Sequence, residues 1–152
     1  MSDIARTVDA VWRIEGACLR WRGKGENYLM DMRLELVPLL STDVDRSKAF
    51  YTDQVGFHLD HDVEPGNGMR VVQLTPPGSA CSVVFGVGIS AQDSAPVQGL
   101  HLVVDDLEAS RELLLSKGVE VSAVNDMGGI LYAYFSDPDG NSWALQQLHA
   151  AQ

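Results

Sequence analysis

Short runs of alternating apolar and polar residues recur from about residue 31 onward, interrupted twice by runs with apolar residues at three- and four-residue steps. Alternation predicts strands and the longer steps predict helices. The runs "LELVPLL", "FHLDHDV", "MRVVQLT" and "CSVVFGVG" read as strands, and so do "LHLVV", "VEVSAV", "ILYAYFS" and "NSWALQQL". Two segments between them, "TDVDRSKAFYTDQVGF" from Thr42 and "DDLEASRELLLSKGVEV" from Asp105, read as helices. Upstream, Ile4, Val8 and Val11 or Trp12 fall at helical steps within residues 3–20, which predicts an amphipathic helix there. The segment "WRGKGENY", with two glycines, ends that pattern.

The two predicted helices open and close alike. Thr42 with Asp45, and Asp105 with Glu108, have the spacing of a capping box. Gly56 and Gly118 stand where a left-handed residue closes a helix. Each helix follows one strand and precedes three, and the hairpins turn at "PPGSA" and "DPDG". The chain therefore reads as a duplicated β-α-β-β-β unit of the α+β class. The expected organisation is a helical extension over 1–30 and a domain over 31–150, made of modules 31–90 and 97–150. The polar stretch 91–98, "AQDSAPVQ", serves as the linker. In "DPDGN", Asp137 and Asn141 are expected to bond backbone amides of the turn.

Charge narrows the partners. The 152 residues carry a formal net charge of −10, which repels nucleic-acid phosphates and anionic lipid. Neither nucleic acid nor membrane is therefore an expected partner. No apolar run has the roughly 18 residues a membrane-spanning helix needs. Cys18 and Cys81 are isolated and form neither a disulfide framework nor a CxxC motif, which fits a reducing, cytoplasmic setting.

The motifs "STDVDRSKAFYTDQVGF", "VDDLEASRELLLSKGVEV" and "FSDPDGNSWALQQ" resemble the vicinal-oxygen-chelate superfamily, also called the glyoxalase/bleomycin-resistance/dioxygenase superfamily. The resemblance covers residues 31–149. It implies paired βαβββ modules that curl into a half-barrel around a cleft, and a homodimer. It also implies, for the family's enzymes, one divalent metal that chelates two neighbouring substrate oxygens as a Lewis acid. The ligand positions of the glyoxalase I pattern fall here on Leu36, Gly99 and Ala144, with a further one near Ser82 or Val84. None of Leu, Gly and Ala has a side-chain donor, so the expected metal content is none and the resemblance is to the metal-free, drug-binding branch.

By strand alternation from those positions, Leu36, Pro38, Gln73, Val84, His101, Val103, Tyr132, Tyr134, Ala144 and Gln146 face the cleft. Such a lining suits a small apolar or aromatic molecule, with tyrosines and an imidazole to stack on a ring and bond a carbonyl or hydroxyl. Two alternatives follow from the same residues. One is a metal-dependent lyase, isomerase or dioxygenase that uses unusual ligands including His101, with a divalent metal as cofactor. The other is a metal-free acid–base enzyme, with His101 as base and Tyr132 or Tyr134 as donor. His58 and His61 lie three apart on a strand and diverge, and Glu35 points away from Leu36. Cys81 with His101 would need to meet in space to form a nucleophile–base pair. "GVG" at 86–88 is too short for a dinucleotide fingerprint, no GxSxG elbow is present, and "DPDGN" lacks the later ligands of an EF-hand.

Overall fold

A computed structural model describes residues 10–15, 18–23, 32–90 and 94–148. Residues 34–148 hold two four-stranded sheets. In the first half, β3 (Leu36–Pro38) leads into α1 (Val44–Ala49), which continues as a π-helical turn over Phe50–Val55. β4 (His58–Gly66), β5 (Met69–Thr75) and β6 (Ser82–Val87) follow, and the strand order is β3-β6-β5-β4. The second half repeats this with β7 (Leu100–Val103), α2 (Leu107–Ser116), β8 (Asn125–Asp126), β9 (Leu131–Ser136) and β10 (Ser142–Gln147), ordered β7-β10-β9-β8. In both sheets the strand before the helix pairs in parallel with the last strand, and the other pairs are antiparallel. The duplicated β-α-β-β-β reading is thus the observed architecture.

Alternation gives each sheet one apolar face. Val72, Leu74, Val83 and Phe85 from the first sheet join Ala133, Phe135, Trp143 and Leu145 from the second in one core. Leu39, Phe50, Tyr51, Leu107 and Leu114 from the helices and their flanks complete it. Tyr51 is its hub. Its ring lies 5.3 Å from Phe57, 5.9 Å from Phe85 and 6.0 Å from Trp143, distances at which aromatic pairs attract.

The acidic turn ties the halves together. Asp137 Oδ1 accepts from the amides of Asp139 and Asn141, both at 2.9 Å, as the sequence suggests. Asn141 Oδ1 accepts from Val97 N at 2.9 Å, and its Nδ2 donates to Leu40 O at 2.8 Å. Asp139 reaches the start of α1, where it accepts from Arg46 at 2.9 Å and from Thr42.

Several expectations are corrected. Ala10–Glu15 and Cys18–Gly23 are not helical. β1 (Ala10–Glu15) and β2 (Cys18–Gly23) form an antiparallel hairpin with Trp12 opposite Trp21 and Ile14 opposite Leu19. Val, Ile and Trp favour strands, and Gly16 costs a helix interior about 1 kcal/mol relative to Ala. The parts of the helical expectation on residues 1–9, 16–17 and 24–30 lie outside the described residues, as do linker residues 91–93. The caps sit one residue further on than expected. Asp43 accepts from Arg46 N at 3.0 Å and Asp106 from Ala109 N at 2.9 Å, each carboxylate satisfying an orphan helix amide. "VEVSAV" does not pair as a strand. Ser122 Oγ accepts the Tyr134 amide proton at 2.9 Å, so a side chain takes a ladder position and regular pairing starts only at Asn125. Gly56 and Gly118 do close the helices, with φ of 91° and 83°.

Candidate functional site

The second sheet keeps one face out of the core. On it, His101 lies opposite Ala144, and Ala144 lies opposite Tyr134. The next row is Val103, Gln146 and Tyr132. Neighbouring strands lie about 4.8 Å apart, so His101 and Tyr134 flank Ala144 across a gap of roughly 10 Å between backbones. Only a methyl group stands between them, and Ala144 is 2% exposed while Tyr134 is 44% exposed.

The side chains around that gap are ordered by one another. The His101 and Tyr132 rings meet edge to face at 6.0 Å, and the Tyr132 and Tyr134 rings lie parallel, within 5°, at 6.3 Å. His101 Nδ1 is 3.0 Å from Gln146 Oε1. An amide oxygen only accepts, so Nδ1 is the donor in this contact, and in the neutral ring that tautomer leaves the lone pair on Nε2.

A cleft of about 500 Å³ opens on this face, lined by Gly99, His101, Glu120, Tyr134, Phe135, Ser136, Asp137, Ser142, Trp143 and Ala144. Gly99 precedes β7 with φ of 77°, and its amide donates to Ser142 Oγ at 2.8 Å. The lining contains two carboxylates and no Lys or Arg. Asp137 is buried and fully engaged, accepting from Tyr51 Oη at 2.7 Å and Asn141 Nδ2 at 2.6 Å besides its turn amides. Burial and the Asp137 carboxylate push the Tyr51 hydroxyl far above its ordinary range. Glu120 did not emerge from the sequence reading. Its signal is the run Val119-Glu120-Val121, whose valines enter the core and leave the carboxylate on the other side.

Leu36, Pro38, Gln73 and Val84 share a face of the other sheet: Leu36 pairs with Ser82, and Val84 with both Pro38 and Gln73. None of them lines the 500 Å³ cleft. Beside them Thr75 Oγ1 is 2.6 Å from Ser82 Oγ and donates to Asp60 at 2.5 Å, so these hydroxyls are committed to each other and to a carboxylate. His58 Nε2 is 3.9 Å from Asp60. Cys81 immediately precedes β6, beside a different sheet from that of His101, and burial raises its thiol pKa, which disfavours the reactive thiolate.

Leu36, Gly99 and Ala144 do not fit a metal. Among the described residues no three His, Cys, Asp or Glu side chains come together to hold one. A catalytic site ordinarily needs about three such ligands. Among the described residues no helix is long and apolar enough to cross a membrane.

Two four-stranded sheets built from a repeated βαβββ unit, with a side-chain-lined cleft on one of them, define a paired-module α+β fold. The chain belongs to the Glyoxalase/Bleomycin resistance protein/Dioxygenase superfamily, whose family model matches residues 33–145. It is similar to TnmS3, an antibiotic binding protein from Streptomyces sp. CB03234, at 32% identity and a TM-score of 0.72 over 80% of this chain and all of that one. A glyoxalase/bleomycin resistance protein from the same organism is 34% identical, with a TM-score of 0.65 over 76% of this chain and 100% of that one. A superfamily member from Sphaerobacter thermophilus DSM 20745 is 27% identical, with a TM-score of 0.69 over 78% and 99%. No curated protein matches the chain.

Proposed function

We propose that the protein binds a small apolar or aromatic molecule without a metal, on the face that carries His101, Tyr132, Tyr134 and Gln146 around Ala144. The row His101–Ala144–Tyr134 carries this reading. Ring-bearing residues flank and cover the Ala144 methyl, so a flat ligand would lie on the aromatic edges and faces above it. Gln146 and the free Nε2 of His101 supply polar contacts for a carbonyl or hydroxyl. Similarity to an antibiotic binding protein supports the same class of ligand. The usual metal positions hold Leu36, Gly99 and Ala144, so the ligand is held by side chains alone. A homodimer in the cytoplasm belongs to the same proposal, and light scattering on the purified chain tests the dimer.

Calorimetric titration of the EDTA-treated full chain with planar aromatic compounds tests the binding reading. Saturable heat with a dissociation constant in the range of about 1–100 μM is expected for at least one compound. Heat that arises only after a divalent metal is restored overturns metal-free binding, and silence across the panel overturns the site.

One observation favours a second reading, metal-free acid–base catalysis. The Gln146 contact holds His101 in the tautomer that leaves Nε2 free to take a proton. Turnover that disappears in His101→Ala while the melting temperature holds would support it; turnover unchanged by that substitution excludes His101 as the base.

A further inference from the structure

We infer that the cleft selects aromatic ligands that carry a protonated nitrogen, with Glu120 as the carboxylate that meets it. This rests on the reading of the cleft as a small-molecule site. Two carboxylates line the cleft, and they differ in availability. Asp137 is buried and already accepts from Tyr51, Asn141 and two turn amides. Glu120 is exposed, and among the described residues no cation lies within 4.0 Å of it. Its flanking valines, Val119 and Val121, are buried in the core, so the carboxylate between them projects away from it. No Lys or Arg in the lining competes for it.

The remainder of the lining reinforces the preference. Tyr134, half exposed, lines the same cleft as Glu120, and a tyrosine ring face attracts cations. The chain's net charge of −10 draws cations toward it and repels anions. A neutral aromatic gains the ring contacts alone. An aromatic cation gains those contacts and the Glu120 carboxylate, and an aromatic carboxylate meets repulsion.

Fluorescence titration of the full chain with two tricyclic dyes of one skeleton tests this: cationic 9-aminoacridine and neutral acridone. The expected result is tighter binding of 9-aminoacridine by about three- to tenfold at low salt, with the difference shrinking as salt is added. Glu120→Gln should erase that difference, bringing the ratio of the two dissociation constants to about one. Glu120→Lys should reverse the order. Because Glu120 is exposed, both variants should melt with the parent. If both dyes bind equally, or if Glu120→Gln weakens both alike, the charge selection is wrong while the aromatic site stands. If neither dye binds, the aromatic site itself fails and the selection with it.

Discussion

The Tyr51 hydroxyl donates to Asp137 at 2.7 Å and accepts from Trp143 Nε1 at 3.1 Å, so one phenol in the first half's helix joins the turn and last strand of the second. Replacing Tyr51 by Phe leaves a buried carboxylate short of a donor and an indole N–H without an acceptor. The expected loss is about 1–3 kcal/mol in urea denaturation. The pH dependence has a definite sign. The hydroxyl's pKa is raised in the folded chain, so its contribution is complete below about pH 10, the unfolded value, and is lost as pH rises above that. The native protein should lose stability above pH 10 more steeply than Tyr51→Phe, and thermal melts between pH 8 and 11 read the difference.

Asp62 gives the opposite dependence. Arg70 binds it through two nitrogens at 2.9 Å and Lys48 at 2.7 Å, and those hydrogen bonds hold its carboxyl well below the usual carboxylate range. A depressed pKa stabilises the fold above the unfolded value, about 4, and the contribution is lost as pH falls below it. Asp62→Asn should cost about 1 kcal/mol at pH 7 and flatten the fall in melting temperature between pH 5 and 3. Equal slopes for the two proteins would show that the cluster contributes nothing in solution.

Gly86 faces Val71 across the β5–β6 ladder, and a Cβ built on it would lie 1.8 Å from the Arg70 carbonyl oxygen. That oxygen is backbone and has no rotamer to escape into. Gly86→Ala should cost about 2–4 kcal/mol, measured as the midpoint of denaturant unfolding. A midpoint unchanged from the parent would mean that the strands are further apart in solution.

Tyr134 is half exposed, so its removal should separate binding from folding. Tyr134→Ala should weaken an aromatic ligand about tenfold and shift the melting temperature little. Loss of binding accompanied by a large drop in melting temperature would place Tyr134 in the fold rather than in the site.

Most of the fold was legible because its strands alternate cleanly and its turns carry Pro, Gly and Asp at positions that need them. Gly56, Gly118 and the Asp137–Asn141 turn follow from local chemistry alone. Residues 10–23 were not legible, because Val11, Trp12 and Ile14 satisfy a helical stripe and a strand pattern together, and pairing with Leu19 and Trp21 decides between them. Thr42 and Asp43, like Asp105 and Asp106, offer adjacent caps, and contacts to the second half draw Thr42 away to Asp139. Alternation alone put His101, Ala144 and Tyr134 on one face, but pairing register was needed to set them in a row. Glu120 was missed because its segment looked like an ordinary strand, and no local signal separates a cleft from open solvent. The assignment of Leu36, Pro38, Gln73 and Val84 to the same cleft assumed that both sheets line it, and the cleft described is walled by the second sheet.

Trp143 belongs to both the core and the cleft wall. Its indole lies on the core side of β10, stacked on Phe135 and bonded to the Tyr51 hydroxyl, so it is a resident optical reporter of the packing directly behind the cleft. The other two tryptophans, Trp12 and Trp21, lie in the N-terminal hairpin, so replacing both by phenylalanine would leave one indole whose emission follows the closure of that core by light alone, without labelling the protein.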